Sequence, residues 1–224
     1  PLICALAAGN HAMIKISSAS SNFGYVLENA LAEAFPQELV AVVNGGGVIS
    51  DAFSHLPFDK MIFTGSTSVG KTVMAAAAEN LVPVILELGG KSPALVHSAM
   101  NIRDVAQRIA VGKLWNAGQT CVAPDYIFLP KGKTEDFTKH YNDFVNTMYP
   151  NLRDNKDYTS IINDKQYNRL QGYLEDARAH GAQIIEINPR NETPADLRKI
   201  APTILTNVTP DMDIMKNEIF GPLL

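Results

Sequence analysis

The sequence predicts an α/β fold built on parallel strands, and two observations carry that prediction. Short apolar runs alternate with stretches of helical periodicity, and the links between them are only a few residues long. Strands joined through helices by short links require right-handed crossovers onto a parallel sheet.

Residues 2–8 read as the tail of a helix closed by Gly9-Asn10, a common C-terminal stop. Residues 12–16 form a short strand. Apolar residues recur at helical spacing over 22–35, and Pro36 ends that helix. A strand over 39–43 runs into Asn44-Gly45-Gly46-Gly47, and a short helix over 48–55 leads to a strand over 60–63. Gly65-Ser66-Thr67-Ser68 then opens an alanine-rich helix through Glu79. The next strand covers 82–86 and is broken at Leu88-Gly89-Gly90. Beyond it the pattern predicts helices near 101–116, 135–147 and 164–179, with strands near 126–129, 183–187 and 202–205. Residues 1–88 resemble a Rossmann-like nucleotide-binding half, and 89–224 begin a second α/β domain.

Composition narrows the function classes. Of 224 residues, 46% are hydrophobic and 19% charged, enough to bury a core and too ordered in pattern for a disordered chain. Lys plus Arg number 19 against 23 Asp plus Glu, a net charge of −4, which gives no footprint for nucleic acid or an anionic membrane. Cys4 and Cys121 are the only cysteines, so a disulfide framework is excluded and a reduced, cytoplasmic setting is expected. No apolar run has the length of a membrane span, and the N-terminus lacks the basic region of a signal peptide. Both ends read as cut, because the first and last elements are apolar and uncapped; a piece of something larger is expected.

Gly65 to Thr72 fits the G-x-x-x-x-G-K-[ST] phosphate-loop pattern, between a strand and a helix. Free N–H groups at a helix start hold a phosphate in several kinds of protein, so the match argues for a phosphate-bearing ligand more than for ATP. An ordinary helix cap at Thr64 or Ser66 explains the same residues. A phosphate-loop enzyme also needs a strand ending in Asp to hold Mg²⁺, and the strand ends here are Asn44, Phe63-Thr64 and Glu87.

Two further segments bear on chemistry. Val84-Ile85-Leu86-Glu87-Leu88-Gly89-Gly90-Lys91 puts a carboxylate at the end of an apolar strand. Asn116-Ala117-Gly118-Gln119-Thr120-Cys121-Val122-Ala123-Pro124 puts a cysteine on a small-residue loop after an amphipathic helix, where a thiol reaches a substrate. Cys4, inside an apolar helix run, is expected to be a buried, inert small hydrophobe. Alone, Glu87 reads as a solvated strand-end carboxylate.

Taken together these segments resemble the aldehyde dehydrogenase family. Phe63-Thr64-Gly65-Ser66, Leu86 to Lys91, Gly118-Gln119-Thr120-Cys121 and Glu218-Ile219-Phe220-Gly221-Pro222 occur in that family's order, with Ala8-Gly9-Asn10, Lys15 and Asn44 to Gly47 as weaker matches. The likeness spans the whole chain, about half of a full family member. The Ala123-Pro124-Asp125-Tyr126 tail is similar to the branch acting on fatty and aromatic aldehydes, coniferyl aldehyde dehydrogenases included.

The resemblance implies an NAD(P)-binding domain over 1–88 and a catalytic domain over 89–224. It implies that Cys121 is the nucleophile, adding to the aldehyde to give a thiohemiacetal whose hydride passes to NAD or NADP. It implies that Glu87 is the base that hydrolyses the resulting thioester, in a buried setting that disfavours the charged carboxylate. The oxyanion would rest on the Cys121 backbone N–H and an asparagine upstream of Pro1. For the cofactor it implies Lys15 near the adenosine ribose, with Ser18 where a ribose-binding carboxylate usually stands, Ser66 facing the pyrophosphate, Glu218 at the nicotinamide ribose with Phe220 packed near it, and Gly47, Gly65 and Leu88 as further cofactor-binding residues. Phe220 alone would be read as core, and Lys15 as a solvated lysine.

Lys15-Ile16-Ser17-Ser18 departs from the family's Lys-Pro-Ser-Glu. Losing the carboxylate at Ser18 removes a charge that would repel a 2′-phosphate, so NADP is expected to be tolerated. The five histidines form no metal-spaced pair, and no metal site is expected. Further expectations are a small-molecule aldehyde as partner, a dimeric or tetrameric full-length enzyme, and slow or no turnover without the outlying segments. The competing readings are a phosphate-loop hydrolase, which gives Cys121 no role, and a nucleotide-binding module without turnover.

Overall fold

In residues 1–88 each pair of strands is closed by its own helix. The computed structural model describes residues 1–224 and separates into two units, Pro1–Leu88 and Gly89–Leu224. The first contains α1 (Leu2–Ala7), β1 (Ala12–Lys15), α2 (Ser21–Ala34) and β2 (Val40–Val43). It continues with α3 (Gly47–Ser54), β3 (Met61–Gly65), α4 (Thr67–Glu79) and β4 (Val84–Leu88). β1 runs parallel to β2, with Ala12 opposite Val40 and Lys15 opposite Val43. β3 runs parallel to β4, with Met61 opposite Val84 and Gly65 opposite Leu88. Parallel pairing is thus as expected, but it forms two separate two-stranded sheets rather than one continuous sheet. The strands are four or five residues long, and each pairs along its length with the strand that its own crossover helix brings back.

α4 shows why an alanine-rich stretch folds here. Ser66 caps it, its Oγ accepting the Val69 N–H at 3.4 Å. Gly70, Val73, Ala76 and Ala77 then fall on one buried face, packed with Met61 and Val82. The helix exits through Leu81 at φ 55° before Val82 turns into the core. That exit delays β4, so the strand covers Val84–Leu88 instead of 82–86. Glu87 therefore lies within the strand rather than beyond its end.

The second unit contains β5 (Pro93–Leu95), α5 (Ile102–Leu114), β6 (Tyr126–Phe128) and α6 (Thr134–Met148). Next come α7 (Asp164–Ala179), β7 (Gln183–Glu186), β8 (Thr203–Thr206) and α8 (Asp213–Lys216). β5 pairs parallel with β6 and β7 antiparallel with β8, while Thr203 bridges to Leu223. α5 is capped by Asn101, whose Oδ1 accepts the Arg103 N–H at 2.9 Å. α6 buries Phe137, Tyr141 and Val145, four residues apart on one face. With Ala106, Ala110 and Leu114 of α5 and Leu170 and Ala177 of α7 they form the main core. No helix is long and apolar enough to cross a membrane.

Cys4 differs from its expected setting. Cys4 is exposed, because α1 is only six residues long and none of its residues is buried.

Leu170, fully buried, packs its Cδ atoms onto Gly221. Leu170→Ala is predicted to lower unfolding stability by about 2–5 kcal/mol, while Met74→Ala, 55% exposed on α4, shifts it by less than about 0.5 kcal/mol. Urea unfolding followed by circular dichroism compares the two.

Candidate active site

The loop after α5 reverses the chain through three successive left-handed residues. Asn116 (φ 53°), Ala117 (φ 51°) and Gly118 (φ 73°) all lie in the region that L side chains avoid. Each non-glycine there costs about 1–3 kcal/mol and persists only when its surroundings impose it. They do: Ala117 is 1% exposed in the core. Gly118 lies so close to the Gly221 carbonyl that any Cβ would overlap it. The chain emerges in a turn in which the Ala123 N–H donates to the Thr120 carbonyl at 3.1 Å. Cys121 sits in that turn, exposed, as its loop position predicts. Beside it a surface depression of about 530 Å³ is lined by Trp115, Asn116, Thr120, Tyr149, Asp157 and Thr159.

The segment 214–221 is held from three sides. Asp125, 3% exposed, pairs through Oδ1 with Lys91 and accepts the Ile219 N–H on Oδ2 at 2.9 Å. Lys91 Nζ also donates to the carbonyls of Ile214 and Asn217, both at 2.9 Å. From α7, Arg169 donates to the carbonyls of Glu218 (3.1 Å) and Ile219 (2.8 Å) while stacking over the Tyr173 ring. Glu218 is thereby laid against Gly89, where a Cβ would strike its carboxylate. Phe220 takes a left-handed φ of 48° and is 37% exposed, so it is not the core residue its side chain alone suggests.

Lys113, in the last turn of α5, is 1% exposed. Its pKa is pushed down to about 8, mainly by burial, with Lys91 adding to the fall and Asp125 and Glu218 opposing it.

In the first unit, Lys15 is not a solvated lysine. Its Nζ donates to the carbonyls of Ile16 (2.6 Å) and Gly45 (2.8 Å), pinning the ends of β1 and β2 and leaving a third proton. Ser18 is exposed at the start of a 3-10 turn whose cap, Ser17, accepts the Ala19 N–H at 3.3 Å. Gly47 opens α3, Gly65 ends β3 and Ser66 caps α4, all exposed. Neither α3 nor α4 carries an acidic residue in its first turn, so both helix ends suit an anion such as a pyrophosphate. Leu88 packs over Gly70. Glu87 stands opposite Thr64 in the β3–β4 register and is exposed. The buried setting expected for it is absent: Glu87 is exposed on β4, which pairs with β3 alone.

Within each unit the structure thus collects the expected groups. Lys15, Ser18, Gly47, Gly65, Ser66, Glu87 and Leu88 belong to the first. Cys121, Glu218 and Phe220 belong to the second, their loops meeting where Gly118 touches Gly221. Lys91, Gln119 and Asp125 stand inside the sequence motifs with no role assigned there, and Lys113 and Arg169 lie outside them. An acidic residue just after the cysteine loop and a lysine after the double glycine are a charge pair that could have been proposed. Nothing local signals Arg169.

The aldehyde dehydrogenase family matches residues 1–224, and the chain belongs to it. Over all 224 residues it is 52% identical to the probable coniferyl aldehyde dehydrogenase of Pseudomonas aeruginosa, spanning 46% of that protein. Among solved structures it is similar to the substrate-bound state of Staphylococcus aureus AldH, with TM-score 0.91, 43% identity, all of this chain and 48% of that one covered. It is also similar to a Mycobacterium tuberculosis aldehyde dehydrogenase complexed with NAD⁺, with TM-score 0.86 and 30% identity over 98% of this chain and 46% of that one. The chain spans about half the length of the curated relatives it matches.

Burial of Lys113 generates a prediction. Below about pH 8 it is charged in both folded and unfolded states, and burial penalises the fold. Between about 8 and 10.5 only the unfolded chain keeps the proton, so native stability rises with pH across that window. Lys113→Met is expected to stabilise the fold at pH 7 by on the order of 3 kcal/mol, and that advantage shrinks as pH rises from 8 to 10.5. Urea midpoints of both proteins at pH 7, 9 and 10.5 measure it.

Proposed function

We propose that this protein oxidises an aldehyde to the carboxylic acid with NAD or NADP, through a covalent intermediate on Cys121. The carrying observation is an exposed cysteine presented by a strained, packed turn in a chain that matches the aldehyde dehydrogenase family from end to end. Residues 1–88 serve as the NAD(P)-binding domain and 89–224 as part of the catalytic domain.

The Cys121 thiolate adds to the carbonyl carbon, and its own backbone N–H stabilises the developing oxyanion. NAD or NADP, when bound, would supply the hydride acceptor that lets the thiohemiacetal on Cys121 become a thioester. Glu87, exposed to water, takes a proton from the water that attacks the thioester; the acid leaves and the thiolate is restored. Lys15 and the starts of α3 and α4 hold the ribose and pyrophosphate, with Ser66 at the helix cap. In the second unit Glu218 would hold the nicotinamide ribose with Phe220 packed near it, and in the first unit Leu88 would be a further cofactor contact. The 52% identity to a probable coniferyl aldehyde dehydrogenase, with the Ala123-Pro124-Asp125-Tyr126 tail, supports an aromatic aldehyde as substrate. The full-length enzyme is a homo-oligomer in this reading.

Titrating NAD, NADP and Mg-ATP in parallel tests the proposal. NAD and NADP are expected to bind with affinities within about a hundredfold of each other, since Ser18 carries no charge against a 2′-phosphate, and Mg-ATP is expected not to bind. Binding of Mg-ATP alone would overturn the proposal in favour of a phosphate-loop hydrolase; a preference for NAD beyond that ratio would refute the role of Ser18.

A further inference from the structure

The side chain of Gln119 makes three hydrogen bonds beside the nucleophile. Its Nε2 donates to the carbonyls of Asn116 (3.1 Å) and Ser160 (3.1 Å), and its Oε1 accepts the Ile162 N–H at 2.9 Å. The Asn116 side chain returns a bond, its Nδ2 donating to the Gln119 carbonyl at 3.2 Å. Both amide protons and the amide oxygen are therefore used. The opposite amide orientation would set the oxygen against two carbonyls and the nitrogen against an N–H, so one orientation alone satisfies the partners.

These bonds span two places in the chain. Asn116 is the first residue of the left-handed run, and Ser160 and Ile162 lie about 40 residues further on, ahead of α7. The run carries two strained non-glycine residues that would relax unless held. Gly118 and Ala117 are held by packing, whereas Asn116 is exposed and no core contact fixes it. The Gln119 backbone N–H also donates to the Asn116 carbonyl at 3.1 Å, but only the side-chain amide ties that carbonyl to a separate segment of the chain.

We infer that Gln119 is a positioning residue for Cys121, clamping the turn so that the Cys121 backbone N–H and Sγ keep the geometry needed for attack on a carbonyl. The inference rests on Cys121 being the nucleophile. A positioning role predicts a selective defect. Attack on an ester carbonyl needs both the thiolate and the backbone N–H that stabilises the oxyanion, whereas alkylation by iodoacetamide needs the thiolate alone.

The test compares the two reactions on the 224-residue chain. p-Nitrophenyl acetate acetylates the cysteine as its thiolate attacks the carbonyl carbon, the C–O bond breaks and nitrophenolate leaves; the thiol proton goes to solvent. Rates of acetylation and of iodoacetamide alkylation are read by mass spectrometry at Cys121 and, as an internal control, at Cys4. In the unaltered chain Cys121 is expected to acetylate faster than Cys4. Gln119→Glu sets an oxygen against two carbonyls, and Gln119→Met keeps the volume without hydrogen bonds. Both are expected to lower the ratio of acetylation to alkylation at Cys121 by on the order of tenfold to a hundredfold, with the Cys4 ratio unchanged. If Gln119→Glu does not fold, as circular dichroism reports, Gln119→Met decides. An unchanged ratio in a folded variant, or an equal loss of both reactions, overturns the positioning role while leaving Cys121 as nucleophile. Acetylation of Cys121 no faster than Cys4 in the unaltered chain overturns the nucleophile assignment and the inference with it.

Discussion

Asp125 is the charge around which the second unit is organised. It is 3% exposed, and a buried carboxylate is costly unless every oxygen is satisfied. Lys91 answers one oxygen and the Ile219 N–H the other. Those two partners come from the loop before β5 and from the 214–221 segment, while Asp125 itself follows the Cys121 turn. One carboxylate thus ties three stretches that the chain keeps far apart, and Lys91 extends the tie to the carbonyls of Ile214 and Asn217. Removing either partner leaves an unpaired charge in the interior, which is a larger penalty than losing an ordinary hydrogen bond.

The position of Cys121 follows from that tie. With segment 214–221 fixed, the Gly221 carbonyl presses on Gly118 and leaves room for no side chain. Gly118 can then close the left-handed run that turns the chain out of α5. Packing at Ala117 and the amide of Gln119 hold the two strained residues before it. Rigidity in this half of the molecule therefore serves presentation of a thiol. The first unit uses different means, since its core is small and Lys15 is pinned by two carbonyls at the ends of its strands.

Much of this was legible in the sequence where the signal is local. The alanine-rich helix after Ser66, the amphipathic face of Phe137, Tyr141 and Val145, and the exposed loop cysteine all follow from periodicity and turn chemistry. β5 was not legible, because it is three residues long and begins with Pro93. Lys113 looks like an ordinary basic residue in a last helical turn, yet the fold leaves it 1% exposed. Glu87 looks like a strand-end carboxylate awaiting a cover, yet β4 runs past it and leaves it exposed. Arg169 reaches carbonyls about 50 residues away, a contact set by tertiary packing that no local pattern encodes. The family resemblance rested on short local motifs, whereas Lys113 and Arg169 act through contacts that only tertiary packing makes.

In the proposed mechanism an acyl group forms on Cys121 during aldehyde oxidation and Glu87 removes it. The most direct measurement is mass spectrometry of Glu87→Gln protein quenched after incubation with an aromatic aldehyde and NAD. The predicted result is the acyl mass on the peptide containing Cys121 and an equivalent of reduced cofactor, with little acid released. Acid formed at the unaltered rate would contradict the role of Glu87. Reduced cofactor formed with Cys121 replaced by serine would contradict the cysteine mechanism itself.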